Sequence, residues 1–505
     1  MNFFGVFNKM GLRNHKPFGA RVRCREIGIR RRNPASSPRQ PRTADGRRPP
    51  NGYRRPAKGN QGSERGSVLV IVMLVAFGMV SIALYFAHSM SFELRASDNR
   101  ASGLATGQAI EGAARYVAYI LANYATNGVM PTNDEFECAA VPVGNAHFWI
   151  IGRDPSGAPS SEPYFGLIDE ASKLNLNTAD TNVLSYLPDM TTDFAEAIAD
   201  WRDTNGLGLY SMNYAPLGYQ DKNAPFETVD ELRLVYGATM DLLVGDDLNR
   251  NGVLDANEQD LNGTGQVDSG LFDYTTVYSR EPNFHHDGSS LTNVNDPAEL
   301  RPLLEARLDS RASQILNQLQ ARGGGPGGGT TYSNLLQFYL ASGMNSTEFG
   351  EIIDDVTCAT NVAYYYGRVN INTAGVPVLT ALFMGLGMDQ STAQTAAQQM
   401  ITYREQNPDN LASIAWIVDA LGNTSPVVQA LARGDYITTR SFQFTADIAA
   451  VGPYGRGYRR VKFIFDTSDG APKIIYRQDL SRLGWALGEK VRETWVAKTG
   501  GLTTE

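Results

Sequence analysis

Apolar positions run unbroken by charge from Ser67 to Ala87, SVLVIVMLVAFGMVSIALYFA. At 1.5 Å per residue, about 21 helical positions cross a bilayer core. Apolar residues on every side also exclude the one-sided stripe of a surface helix. Residues 88–125 keep helix-compatible apolar spacing without proline, so the pattern predicts one helix that leaves the membrane as a soluble stem. Residues 126–173 show short β-rich runs such as ECAAVPVGNAHFWIIGRD, broken by Gly, Pro and Ser. These predict the first strands of a sheet packed on the stem. Alternation returns over 436–485 in SFQFTADIAAVG, GYRRVKFIFDTS and APKIIYRQDL, with turn signals between them, predicting an antiparallel meander. Residues 486–505 read as an exposed tail.

Between these β-rich stretches, 174–435 carries an internal repeat. Leu174 to Asp203 opens LNLNTA and closes on Trp201-Arg202-Asp203, whereas Val369 to Glu405 opens VNINTA and closes on Tyr403-Arg404-Glu405. A weaker copy begins TNVNDPAELRPLLEARL, with Asn293 and Asn295 in the paired positions. Further helix-like segments follow the three copies: FETVDELRLVYGAT, NLLQFYLASGM and LASIAWIVDALG. An extended segment ending in Asn-Thr can cap the next helix, and apolar spacing buries one face of each helix. The expectation is three helical hairpins at 174–240, 291–345 and 369–422, with a Gly-rich linker at 321–331.

Charge divides the chain. Residues 1–66 carry about 17 Lys or Arg against about three acids, so everything after Gly66 has a net charge near −22. The leader has no apolar period and reads as disordered. The positive-inside rule places it in the cytoplasm and the body across the membrane. An acidic body favours cations over polyanions. The hairpin turns agree: Pro188 to Asp193 has no glycine and two carboxylates, and Gly385-Leu386-Gly387 is followed by Asp389 with no base nearby. No nucleic acid is expected as a partner.

The sharpest chemical signal is DDLNRNGVLDANEQDLNGTGQVDSG, within which 247–268 forms the candidate calcium region. With Asp247 at position 1, Asn249, Asn251, Val253, Asp255 and Glu258 fall at positions 3, 5, 7, 9 and 12 of an EF-hand loop, and Gly252 at 6. Side chains at 1, 3 and 5 and a carbonyl at 7 converge on one cation, while a Glu at 12 can bind through both oxygens. A second, incomplete loop follows in Asp260, Asn262, Thr264 and Asp268, with Leu271 where the bidentate acid would stand. Calcium is the expected cofactor. Cys138 and Cys358 could form one disulfide in an oxidising compartment, or be two separate buried thiols. No nucleophile elbow, P-loop, dinucleotide fingerprint or HExxH is present, and His285-His286 has no further ligands at useful spacing, so no enzyme activity is expected.

The junction Glu64-Arg65-Gly66-Ser67 sets a glycine between a basic leader and the apolar helix. A secretory signal is cut after its apolar region; a cut before it leaves the helix on the mature chain. This junction resembles the type IV prepilin signal, which prepilin peptidase cleaves after the glycine, here between Gly66 and Ser67. Ser67 replaces the usual Phe or Met, and Ile71 stands where most pilins have Glu. The K-type minor pseudopilins of type II secretion systems (GspK) also lack that Glu. With the Asn-x-Asn-Thr-Ala repeats, NAPFETVDELRLVYG, TTVYS, GRVNINTA, the calcium loop and the terminal meander, residues 62–485 resemble that family. The resemblance implies an α+β, pilin-like fold: a long N-terminal helix, its first half transmembrane, on an antiparallel sheet, with a large inserted domain of helical hairpins. It further implies a non-enzymatic role at the tip of a pseudopilus, a single-pass inner-membrane location with a periplasmic body, and I- and J-type minor pseudopilins and the inner-membrane assembly platform as partners. The long leader, Ser67, the third hairpin and the Gly-rich linker depart from the family pattern. The alternative is a membrane-tethered helix-hairpin-helix DNA-binding protein of a competence or type IV pilus system.

Overall fold

The structure is a computed structural model and describes residues 67–125, 128–133, 135–156, 160–206, 208–322 and 331–500. The leader, Gly66 and residues 323–330 of the Gly-rich linker lie outside them. Helix α1 spans Ser67–Tyr124. Its residues 68–79 are apolar and exposed, with Leu74 at 70%. By length and composition α1 can cross a membrane.

The later part of α1 buries Thr106, Ala109, Ile110, Ala113, Ala114, Val117, Ile120 and Leu121. That three-and-four spacing is a single helix face, and it meets a sheet. The sheet consists of β1 (Val141–Val143), β2 (Ala146–Ile151), β3 (Ile168–Asp169), β4 (Gln443–Val451), β5 (Tyr458–Asp466) and β6 (Lys473–Asp479). The order is β1-β2-β4-β5-β6, all antiparallel, with β3 also paired to β4. Phe148, Ile150, Phe444, Ala446, Ile448, Phe463 and Phe465 form one core with the stem. The alternate residues Trp149, Ile151, Ala449 and Val451 face the other side, as period-two pleating requires.

Both sides of β4 are therefore covered, and all nine of its residues are buried. Part of its second cover is Ala486 and Leu487, each fully buried, with the Trp485 ring tilted against Tyr458 at 5.2 Å between centroids. This corrects the exposed tail expected from residue 486. A helix, Gly488–Gly500, follows these docking residues. The segment is short and has no period of its own, so only its partners reveal it as core.

Between β3 and β4 the chain forms the helical region. The fold is α+β and pilin-like. Each repeat opens on a two-residue strand and closes on another, paired parallel: Leu174–Asn175 with Thr275–Thr276, Thr292–Asn293 with Val356–Thr357, and Val369–Asn370 with Ile437–Thr438. The closing strands share the pattern Asp-x-(Thr/Val/Ile)-Thr, at Asp273, Asp354 and Asp435.

The motif asparagines do not cap the following helix, as the spacing had suggested. The helix caps are Asp180, Asp296 and Gly375. The first Asn of each pair instead accepts the N–H two residues on, giving Asn175–Asn177, Asn293–Asn295 and Asn370–Asn372 at 2.9 Å each. The second reaches across its repeat: Asn177 to the Phe226 backbone, Asn295 to that of Tyr332, and Asn372 to the Leu411 carbonyl and the Trp416 indole. The triplet arginines cover the same turn, with Arg202 donating to the Leu176 and Ala179 carbonyls and Arg404 to those of Ile371 and Ala374. The segment FETVDELRLVYGAT forms only a 3-10 turn, Val229–Leu234. Buried Val229 and Leu232 lie three apart, the spacing that suits this tighter helix.

Candidate metal centre

The candidate loop follows the short helix Met240–Val244. No exit helix succeeds it, because the second loop starts at Asp260, two residues after Glu258. The pair of loops is closed at its base where Gly245 bridges Ser269 and the Asp246 N–H donates to the Asp268 carbonyl at 2.8 Å. Gly245, at φ +67°, and Gly270 have backbone from the opposite side where a Cβ would stand, so neither position admits a side chain.

Within the first loop, Asp247 accepts the Asn251 N–H at 2.9 Å on one oxygen and the Gly252 N–H at 2.7 Å on the other. Asn251 accepts from the Val253 N–H at 3.0 Å. Glu258 accepts from Asn249 N–H at 3.1 Å and from Asp255 N–H at 2.9 Å. The side-chain amides of Asn249 and Asn251 both donate to one Asp255 oxygen. Five of the six expected ligands thus converge through side-chain contacts, and Val253 is buried beside them.

The centre is largely removed from water: Asp247 is 1% exposed and Asn251 0%. Burial pushes the Asp247 carboxyl up to about 6, with the nearby Asp273 charge adding to the rise, while Arg153, 3.9 Å away, opposes it. Burial raises Glu258 as well. The Asn249 Oδ1 is buried and has no donor. Buried acids held against their preference and an orphan amide oxygen suit a hard, oxygen-seeking cation. Among the described residues no three His, Cys, Asp or Glu side chains form a metal cluster by themselves; the donor set here mixes carboxylates with amides.

The second loop has the same turn scaffold. Asp260 accepts from Gly263, Thr264 and Gly265, and Asn262 accepts from Thr264. It lies exposed, and Leu271, at its twelfth position, is fully buried in the helical core.

Three residues that local sequence does not flag hold the first loop to the sheet. Arg460 on β5 is fully buried, grips Asp447 on β4 with two hydrogen bonds, and donates to the carbonyls of Asn249 and Arg250. Arg153, just after β2, binds Asp273 at 2.8 and 3.0 Å and donates to the Arg250 carbonyl at 3.1 Å. The Trp485 carbonyl accepts from the Asn249 amide at 3.1 Å. The one available hint was a charged residue at the inward-facing position 460 of an alternating strand.

Ser67 opens α1. Cys138 and Cys358 are both free thiols. Cys138 is buried in the core under the stem, whereas Cys358 is half-buried against the helical core, and the two are not joined to each other in this structure.

No model of a known protein family matches the chain. No curated protein matches its sequence. Among solved structures the chain is similar to one in the GspK–GspI–GspJ complex of the Type 2 Secretion System from enterotoxigenic Escherichia coli. The identity is 11% and the TM-score 0.37, covering 77% of this chain and 99% of that one. At that score the likeness carries no weight here, and the fold stands on the helix, sheet and insertion themselves.

Proposed function

We propose that this chain is a membrane-anchored, non-enzymatic minor pseudopilin of the K type, working at the tip of a type II secretion pseudopilus. The observation that carries the reading is one helix, α1, exposed and apolar at its start and buried on an antiparallel sheet at its end, with the helical region inserted between β3 and β4. A pilin subunit enters a filament through such a helix, and the bulk of the insertion opposes a further subunit stacking above it. The basic leader sets the N-terminus in the cytoplasm and the body in the periplasm. Prepilin peptidase cuts between Gly66 and Ser67, I- and J-type minor pseudopilins pack beside the stem, and the inner-membrane platform feeds the assembly. Calcium fills the 247–258 loop and acts structurally, tying the helical region to the sheet through Arg153 and Arg460 and to Trp485 through Asn249.

The test is secretion by the source bacterium lacking this gene. The proposal expects secreted proteins to accumulate in the periplasm, with export restored by the wild-type gene and not by a copy deleted for 174–435. Unchanged export in the deletion strain would exclude it.

A further inference from the structure

Large apolar side chains in water are ordinary when scattered and informative when gathered. In the first repeat they gather. Met212 is 85% exposed and Leu209 76%, more than any other large apolar residue among the described side chains, the membrane segment of α1 included. Leu217 lies exposed in the same loop, and Leu234, Tyr236 and Met240 in the segment beside it. The two segments touch. Tyr210 stacks on Tyr236 with 6.0 Å between centroids, the Tyr236 N–H donates to the Tyr214 hydroxyl at 3.1 Å, and the Tyr219 hydroxyl donates to the Leu234 carbonyl at 2.8 Å.

The loop is firmly held. Tyr214 is fully buried, 5.4 Å from the Trp201 ring. Asp200, on the helix Thr192–Arg202, accepts the Tyr210 N–H at 2.8 Å, and the Ser211 hydroxyl binds Asp221. Gly208 comes so close that a Cβ there would stand 2.6 Å from the Asp200 carboxyl carbon. Leu209 and Met212 are therefore presented from a fixed frame, which lowers the ordering cost of binding.

Their surroundings are acidic. Residues 189–241 carry ten acids and three bases, a net of −7. Arg202 is taken up by carbonyls, Lys222 by Glu227 and Glu231, and Arg233 by Asp230. Desolvation and then the charges of Asp193, Glu196 and Asp200 raise the Tyr210 pKa, which places those carboxylates beside the patch. Such a surface repels a second copy of itself and an anionic lipid face, and attracts a basic partner. It is built from 3-10 turns, Ser211–Asn213, Ala215–Leu217 and Val229–Leu234, and offers no strand edge to extend. A helix is the shape that fits, and flexible Met and Leu anchors adapt to its apolar stripe.

We propose that this face of the first repeat docks a partner protein through a basic amphipathic helix. The apolar stripe of that helix covers Leu209 and Met212, and its Lys and Arg meet the carboxylates beside Tyr210. The surface does not depend on the pseudopilin reading.

The experiment is fluorescence anisotropy of a labelled helix of about 18 residues, with Leu and Lys at a 3.6-residue period, titrated into the full chain in phosphatidylcholine nanodiscs. Wild type and Leu209→Ser/Met212→Ser chains are compared in the same lipid, so binding to the disc cancels. Both positions are exposed, and the variant should melt as the wild type does. The expected result is binding to the wild type that weakens at least about tenfold in the variant, with no such difference for a matched Leu/Glu helix. No binding, or equal affinity of both chains for the Lys helix, would overturn the proposal and leave only charge attraction to an acidic body. A Leu/Glu helix that separates the two chains equally well would overturn it in favour of a surface open to any apolar ligand, lipid included. A wild-type dimer in sedimentation that the variant does not form would overturn it in favour of a second copy. Should the double variant melt below the wild type, Met212→Ser alone, at the most exposed position, decides by the same comparison.

Discussion

Replacing Arg460 by Met tests whether the loop is fastened to the sheet as described. The side chain is fully buried, and its removal strands the Asp447 carboxylate, itself 5% exposed, along with the carbonyl of Asn249, while the Arg250 carbonyl keeps its bond from Arg153. Breaking a buried ion pair from one side costs roughly 3–5 kcal/mol. A stranded buried carbonyl adds about 1 kcal/mol or more. The expected loss is therefore about 4–6 kcal/mol, with weaker calcium binding because the loop loses its anchor at the Asn249 carbonyl and one of two donors at the Arg250 carbonyl. Most of the penalty belongs to the abandoned carboxylate, so adding Asp447→Leu should recover at least about 2 kcal/mol. Urea unfolding of the detergent-solubilised chain, read by tryptophan fluorescence in calcium and in chelator, measures both. A loss below about 1 kcal/mol, or no recovery in the double variant, would refute the reasoning.

Other consequences are equally checkable. Glu258→Gln should abolish the calcium-dependent rise in melting temperature by removing a ligand acid at the twelfth position. With calcium chelated, Asp247 has a folded pKa of about 6 against about 3.9 unfolded. It therefore stabilises the fold below about pH 4, and that contribution is lost as pH rises through about 6; Asp247→Asn should flatten this part of a stability–pH profile. Leu487→Ala should cost about 2–5 kcal/mol as a core truncation, whereas an exposed tail position would change stability by about 0.5 kcal/mol or less. Burial pushes the Cys138 and Cys358 thiols up to about 12, so both should resist iodoacetamide at pH 8 until urea unfolds the chain, as peptide mass spectrometry would read.

Hydrophobic pattern carried the architecture wherever one element buries one face. The α1 stem, the strands of 443–479 and the hairpin helices each announce themselves by a period that their own packing imposes. The EF-hand spacing likewise brought Asp247, Asn249, Asn251, Asp255 and Glu258 to one place, because Asx turns within the loop fix their directions locally. Long-range partners were not legible. Asn177, Asn295 and Asn372 read as caps, yet each is spent on a segment between 37 and 49 residues away. Ala486 and Leu487 read as tail, since two residues have no period and their burial depends on β4. The closing strands at 275, 356 and 437 are two residues long, below the length at which alternation can show.

The central claim is that this is a pilin-type precursor whose mature chain keeps α1 as its anchor. The most direct measurement is the intact mass and N-terminal sequence of the chain extracted from membranes of cells with and without prepilin peptidase. The account predicts a mature chain beginning at Ser67 only when the peptidase is present, and none from a Gly66→Val precursor. A chain that keeps residues 1–66 in both strains, or is cut beyond Ala87, would contradict it.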